Sequence, residues 1–426
     1  MNKLSGKRLL ILGGSMWKEA IKEYAVINNI TLIATGSNQS AGIFSIADEK
    51  YDIDSTNVEA MKRLIKERNI DGVYMGGSEP VITQACKYIN ELDLPCYCTP
   101  MQWEQLQDKS LFKELCIKFG LPVVPKFNVT IDNIEESIGK DEFPLITKPT
   151  DGCGSSGFSK CNNFEELKKG YAIAAEASPT RSVIVEKFVN NSSVVVFYTF
   201  SEGKLYFSGL EDKYPVKHIK TGTFVAGLHV FESKYTIEFR NKFEAKLQKL
   251  FKHLNIKEGS AWIEVFHDDD KYYFNEVGFR YSGSVSVYPV DYLYNINQVA
   301  ADIHFALTGE SCIYNHHSLI NRNVPRNKHY CMYTLHLKPG LIQNIIGIDH
   351  VKLWDKTIFI SETKMVGDNI AETGSISQAY AFIHFICDNE NECKEFILKL
   401  HDTIHVLNEN GEEMIMRMLD TNNIKF

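Results

Sequence analysis

The sequence predicts a multidomain protein of mixed α/β and α+β class. We expect a parallel α/β unit over 1–107, a two-part core over 108–310 and a mixed α+β subdomain over 311–426. Three observations predict it. At 426 residues the chain exceeds what one compact core accommodates. Its first hundred residues alternate short apolar runs with helical patterns, as strands linked by crossover helices do. Beyond residue 108, strand-like runs rich in Val, Ile, Phe and Tyr predominate, with two of them in hairpin arrangement.

The first unit opens with an apolar strand at 9–12, a helix around 20–26 and a strand at 31–34. A helix at 58–67 and a strand at 73–75 continue the alternation, so ligands are expected at the strand C-termini. Asp108 is placed to start a helix over 108–119, which Gly120 and Pro122 end. A strand at 143–148 runs into a Gly/Ser-rich turn, followed by a helix at 164–177. Strands at 183–185 and 194–200, a helix at 237–254 and strands at 261–267 and 271–277 follow, the last two joined by an acidic turn at 268–270. Gly340, Gly347, Gly367 and Gly374 punctuate the mixed final stretch.

Composition excludes several function classes. The net charge of −8, with no Lys/Arg-rich block, argues against nucleic acid or an anionic membrane as partner. No apolar run approaches the roughly 20 residues that span a bilayer. The apolar stretch after Arg8 is too short for a signal-peptide core, and ten scattered cysteines fit a reducing compartment, so a cytoplasmic location is expected. Cys96 and Cys98 have no matching second pair, which argues against zinc. Gly13-Gly14 lacks the rest of a dinucleotide fingerprint, and no acid follows the strand at 31–34 to hold a ribose.

Three features carry chemistry. Lys148 ends an apolar strand and precedes Gly152, Gly154 and Gly157. Glycines let backbone N–H groups approach anionic oxygens and the lysine adds a fixed charge, which suits a polyphosphate. The lysine comes before the glycines, so this is not a Walker loop. Glu264 and Glu276 lie on consecutive strands, and their even separation is taken to place them on one face. Paired carboxylates repel unless cations sit between them, and Mg²⁺ on nucleotide phosphates resolves this. Arg280, four residues on, is placed to stabilise charge on a transferred phosphoryl group. The third is the apolar strand ending Glu186-Lys187-Phe188-Val189, which can offer backbone groups to a base edge.

The order Asp108-Lys109, Lys148 with its glycines, Glu186-Lys187-Phe188-Val189, Glu264, then Glu276 and Arg280 resembles the ATP-grasp superfamily. More narrowly it is similar to carboxylate–amine ligases of the L-amino acid ligase-like and biotin carboxylase-like kinds. The resemblance covers most of the chain and implies a pre-ATP-grasp domain over 1–107 and a flap-bearing subdomain over about 143–200. It implies an ATP- and Mg²⁺- (or Mn²⁺-) dependent enzyme that activates a carboxylate as an acyl phosphate and joins it to an amine, with amino acids among the candidate substrates. Lys109 is then expected near the α-phosphate, and Lys148 across the α- and β-phosphates. Gly154, Ser155, Ser156 and Gly157 would form a mobile flap over the β/γ end. Glu186 and Lys187 would meet the adenine amino group, and Val189 would offer its N–H to the ring. Glu264 and Glu276 would hold the metal, and Arg280 the acyl phosphate or substrate carboxylate. Lys213, Ser282 and Gly283 are expected on the substrate side; Glu79 faces a substrate amine or caps the helix that follows it.

Two positions depart from the family pattern. The usual Glu-x-Asn-x-Arg has Gly278 in place of Asn, so a metal contact is expected to be lost or taken over by water. Asn275 is expected to point to the opposite face from Glu276. An acid about seven residues after Glu186 is replaced by Ser193. The competing readings are a bicarbonate-activating or purine-pathway ligase and a catalytically lapsed nucleotide-binding regulator. No Met-Lys pair set in a small β-domain, the biotin-attachment signal, is seen, and Lys364-Met365 has the reverse order. A homodimer is the default assembly.

Overall fold

The computed structural model describes residues 3–37, 42–150, 157–189, 192–268, 270–283, 285–313, 316–319, 324–325 and 327–426. Short apolar strands β1 (Arg8–Ile11), β2 (Thr31–Thr35), β3 (Glu49–Tyr51) and β4 (Gly72–Tyr74) form a parallel sheet in the order β3-β2-β1-β4. Helices α1 (Lys18–Asn28), α2 (Val58–Glu67) and α3 (Glu79–Glu91) connect and follow these strands. The α2 helix has the bounds its periodicity predicts. The Asn57 side chain accepts from the Ala60 N–H, and Met61, Leu64 and Ile65 form one buried stripe.

Two capped helices lead out of this unit. A Thr99/Gln102 capping box starts α4 (Pro100–Gln107). Asp108 ends that helix and starts α5 (Lys109–Lys118), its carboxylate accepting from the N–H groups of Ser110 and Leu111 at 2.7 and 2.9 Å. Lys109 thus sits at the first helical position, where the cap fixes its direction.

A small sheet follows: β5 (Lys126–Phe127), β6 (Leu145–Pro149), β7 (Ser159–Cys161) and β8 (Val183–Lys187), antiparallel in the order β5-β8-β6-β7. Helices α6 (Ile134–Ser137) and α7 (Phe164–Ala177) cover one face, and Ile134, Leu145, Cys161, Leu167 and Val185 form a core separate from the rest. Gly170 lets α7 sit close on this sheet, since a Cβ there would lie 2.7 Å from Thr147 Oγ1.

The largest sheet is antiparallel. It contains β9 (Ser192–Ser201), β10 (Lys204–Lys217), β11 (Phe224–Phe231), β12 (Gly259–Asp268), β13 (Lys271–Gly278) and β14 (His329–Leu337). Minor pairs of the C-terminal region are β15 (Gly340–Leu341) with β18 (Asn369–Ile370), and β16 (Asn344–Ile346) with β20 (His405–Leu407). The sheet is completed by β17 (Thr357–Glu362), β19 (Ala379–Cys387) and β21 (Ile415–Met416). Its order is β13-β12-β9-β10-β11-β14-β19-β17, with β21 on β14. Strands from either side of residue 310 therefore share one hydrogen-bonded sheet.

Helix α8 (Thr236–His253) packs Phe239, Phe243, Leu247 and Leu250, spaced four, four and three apart, into the cluster with Val194, Val196, Ile263 and Val265. Helices α9 (Val287–Tyr294) and α10 (Gln298–Thr308) share a second cluster with Val195, Phe197 and Phe231 and with the first unit. Helices α11 (Ile348–Lys352) and α12 (Glu390–Thr403) cover the C-terminal strands. Among the described residues, no helix is long and apolar enough to cross a membrane.

The first unit is locked to α10 at one point of extreme closeness. A Cβ on Gly72 would lie 2.2 Å from the Ala306 carbonyl oxygen, which is backbone and cannot rotate away. Gly72→Ala should therefore lower the denaturant midpoint, at a cost of about 2–3 kcal/mol from forced separation of β4 and α10. An unchanged midpoint would show that this contact is not tight in solution.

Candidate active site

Five cationic and four acidic side chains converge from separate elements onto one region between the small sheet and the large one. Glu186, at the end of β8, is only 2% exposed and lies between two lysines. Lys113 Nζ is 2.5 Å from one of its oxygens and Lys148 Nζ 2.6 Å from the other. Burial works to raise the Glu186 carboxyl, but the two lysines outweigh it and hold it below the ordinary range. Lys148 shows the reverse balance. Burial, together with the neighbouring Lys113 and Lys109, outweighs Glu186 and lowers its ammonium. It is an undercompensated cation, to which an added polyanion would be welcome.

The second group is built on the β12–β13 hairpin. Lys109 Nζ lies 2.6 Å from Glu276, and Lys213 Nζ, from β10, lies 2.6 Å from Glu264. Each lysine is held above its ordinary value because its carboxylate partner outweighs the effect of burial. Glu264 is held below the usual carboxylate range, Lys213 and Asn275 outweighing burial.

Glu264 and Glu276 are directly opposed, as expected, but the reason differs from simple parity. Pairing starts at Asp268 with Lys271 and steps through Val265 with Phe274, so an unbroken register would set Glu264 opposite Asn275. A bulge inserts Asn275 as the extra residue and brings Glu276 opposite Glu264 instead. The expectation that Asn275 points away is therefore corrected. Its side-chain N–H₂ donates to Glu264 at 2.8 Å, because bulged residues do not alternate faces.

Gly278 leaves no room for the usual Asn: the space beside it is filled by the indole of Trp262, its cross-strand partner. A Cβ on Gly278 would come within 2.3 Å of that ring. The Arg280 guanidinium lies over the same indole, 5.2 Å from its centroid. Arg280 also donates to Glu79 through two nitrogens, one at 3.1 Å, and to the Tyr281 carbonyl at 2.8 Å. Glu79 makes no helix cap here; Ser78 occupies that position. Tyr281 is fixed by its hydroxyl on Asp302 and by an edge-on contact with Trp17 at 5.1 Å, so the backbone beside Arg280 is anchored in the first unit.

The remaining expected residues divide. The Lys187 ammonium lies 3.3 Å from Glu142, and its N–H is bonded to the Pro125 carbonyl. Val189 follows at the strand end, and Ser282 is buried beside the open position of Gly283. Gly157 adopts a left-handed conformation against Pro149 and Ala177. Gly154, Ser155 and Ser156 lie outside the described residues. Lys113 was missed by sequence reasoning, although its position one helical turn after Lys109 was a usable signal. The buried Glu211–His229 pair, 3.0 Å apart, was missed too. It continues the Glu276–Glu264 row across the sheet through Val195, and pairing of distant strands leaves no trace in local sequence.

Residues 141–287, which carry most of this constellation, match the family described as ATP-grasp domain. The chain contains an ATP-grasp domain. A phosphoribosylamine–glycine ligase of Methanopyrus kandleri is 24% identical over 218 residues, 48% of this chain and about half (49%) of that protein's length. Among solved structures, phosphoribosylglycinamide synthetase from Anaerococcus prevotii superposes with a TM-score of 0.76 at 18% identity, covering 95% of this chain and 100% of that one. L-amino acid ligase from Bacillus licheniformis gives 0.74 at 20% identity, with the same coverage. The fold shared with these two proteins thus extends over nearly the whole chain, beyond the matched domain.

Two outcomes follow from the geometry. Gly278→Asn should destabilise the ATP-grasp domain by about 2–3 kcal/mol through collision with the indole. Trp262→Ala combined with Gly278→Asn should recover part of that loss, a coupling measurable by denaturant titration of the double-mutant cycle. Burial pushes the Asp302 carboxyl from 3.8 up to about 7, with Glu258 adding repulsion. A carboxyl raised on folding binds its proton more tightly in the native state, so its stabilising contribution is full at low pH. It is lost as pH rises from about 4 to about 7. Asp302→Asn should remove that component, seen as a wild-type-minus-variant difference in stability that shrinks across the interval.

Proposed function

We propose that this protein is an ATP-dependent carboxylate–amine ligase that forms an amide or peptide bond through an acyl phosphate. The observation that carries the reading is the convergence of Lys109, Lys113 and Lys148 with the opposed pair Glu264 and Glu276. Lysines of the small sheet and of α5 face the acid-bearing hairpin of the large sheet, so a nucleotide between them meets cations along its phosphates and oxygen donors at its distal end. The matched ATP-grasp domain and the ligases named among its relatives support the same reading.

Lys148 and Lys109 neutralise the α- and β-phosphates, and the residues after β8 border the base. Glu264 and Glu276, hard oxygen donors with Asn275 beside them, suit Mg²⁺, whose lysine partners would swing toward phosphate. When bound, the ion would supply charge neutralisation to the nucleotide phosphates. A substrate carboxylate oxygen attacks the γ-phosphorus and ADP leaves. Arg280 holds the carboxylate during this step, and Glu79 is free to take up the ammonium of an incoming amine once released from Arg280. The amine nitrogen then attacks the acyl carbon, loses its proton and expels phosphate. Exclusion of water protects the acyl phosphate, and holding the reactants in line supplies much of the acceleration.

A specific second reading is glycine joined to phosphoribosylamine, favoured by the names of the matched relative and of one solved structure. One experiment separates the two. ADP and phosphate release is measured with Mg·ATP against single amino acids, amino acid pairs, and phosphoribosylamine with glycine, with products identified by mass. The expected result is release that requires one particular carboxylate–amine combination, with a product one water lighter than the two substrates. Lys148→Ala should abolish turnover and the rise in melting temperature that ATP produces in the wild type. No ATP-induced shift in the wild-type protein would overturn the proposal.

A further inference from the structure

Far from the phosphate-facing lysines, three cysteines meet inside the C-terminal part of the large sheet. Cys331 lies on β14 and Cys387 ends β19; the pairings His329 with Cys387 and Cys331 with Phe385 make the two cysteines diagonal neighbours on one face. Cys393, on α12, descends onto that face. The helix is held there by Asn389, whose side chain caps it, and by Phe396, which stacks on Phe385 at 4.0 Å and 8°. All three thiols are at most 1% exposed. The sulfurs of Cys331 and Cys387 are 3.6 Å apart, and all three lie within 4.8 Å of one another.

Three sulfurs at this spacing can share one central atom. With metal–sulfur bonds of about 2.3 Å, two ligands of one centre stand about 3.5–4 Å apart. The number of ligands and the surroundings then select the ion. Among the described residues, no fourth His, Cys, Asp or Glu completes the group, whereas structural zinc sites take four protein ligands. The neighbours Tyr333, Phe385, Phe396 and Ile397 belong to an apolar cluster, where an uncompensated charge is costly. Three thiolates around Cu⁺ or Zn²⁺ leave net negative charge; around a trivalent centre they leave none.

We propose that Cys331, Cys387 and Cys393 form a three-thiol site for a trivalent thiophilic ion of the arsenic and antimony class. With arsenite, three S–H bonds and three As–OH bonds break and three As–S bonds form. Each thiol proton leaves with a hydroxide as water, and no electrons are transferred.

Native mass spectrometry of the full chain with arsenite tests this. The expected product is one adduct per chain, heavier by one arsenic less three hydrogens, with a raised melting temperature. Cys331→Ala, Cys387→Ala and Cys393→Ala should each remove that species; alanine keeps the site apolar, so folding can be verified by the melting transition alone. Cys96→Ala, in the separate group with Cys86 and Cys98, should leave it intact. The proposal is overturned by the absence of an adduct with excess arsenite. It is equally overturned by an adduct retaining one hydroxyl on two thiols, or by an adduct that survives all three alanine substitutions while Cys96→Ala removes it.

Discussion

The architecture around the candidate active site depends on keeping like charges apart until a ligand arrives. Glu264 and Glu276 face each other across neighbouring strands, an arrangement that repels in isolation. Lys213 and Lys109 reach them from two different elements, one from the middle of the large sheet and one from a capped helix start. Glu186 does the converse service for Lys113 and Lys148. Each ion pair therefore joins segments distant in sequence. The pairs between Lys109 and Glu276 and between Lys113 and Glu186 tie α5 to both sheets. The site is held together by these ion pairs, each of which bridges elements that the chain brings together only on folding.

Packing divides the same region differently. The small sheet with α6 and α7 has its own core, whereas α8 and the large sheet share another with the first unit. Apolar burial thus fixes two bodies, and the Lys113–Glu186 pair spans the space between them, since α5 packs with the larger one. Arg280 belongs to the larger body. Its neighbour Tyr281 is anchored by Asp302 and Trp17, and its guanidinium rests on Trp262, so the group we propose for the substrate carboxylate has a rigid mounting.

Much of this was legible in the sequence, for identifiable reasons. Periodicity located α2 and the cap at Asp108 located α5, because both signals act within a few residues of themselves. The lysine before glycines and the two hairpin acids were legible as chemistry because residue type and short spacing carry the signal. Asn275 was not read correctly, and Lys113 was missed. The first depends on a bulge, which no composition marks; the second on a helix face seen from a distant strand. The Glu211–His229 pair and the three-cysteine group arise from strand pairing between remote segments, which a single sequence does not reveal.

The bulge in the β12–β13 hairpin has a consequence for how this stretch can vary. From Asp268 and Lys271 onward, each rung of the ladder counts residues on both arms, and Asn275 is one residue more than an even ladder needs. Losing Asn275 itself would leave an even ladder with Glu276 still opposite Glu264, whereas one more residue between the turn and Phe274 would rotate the rest of β13 by half a turn. Glu276 would then be driven toward the apolar side, where Phe274 packs against α8. Substitutions on the solvent-facing rungs leave the count untouched. The hairpin is thus open to changes of residue and to loss of the bulged position, and closed to an added residue between the turn and the bulge.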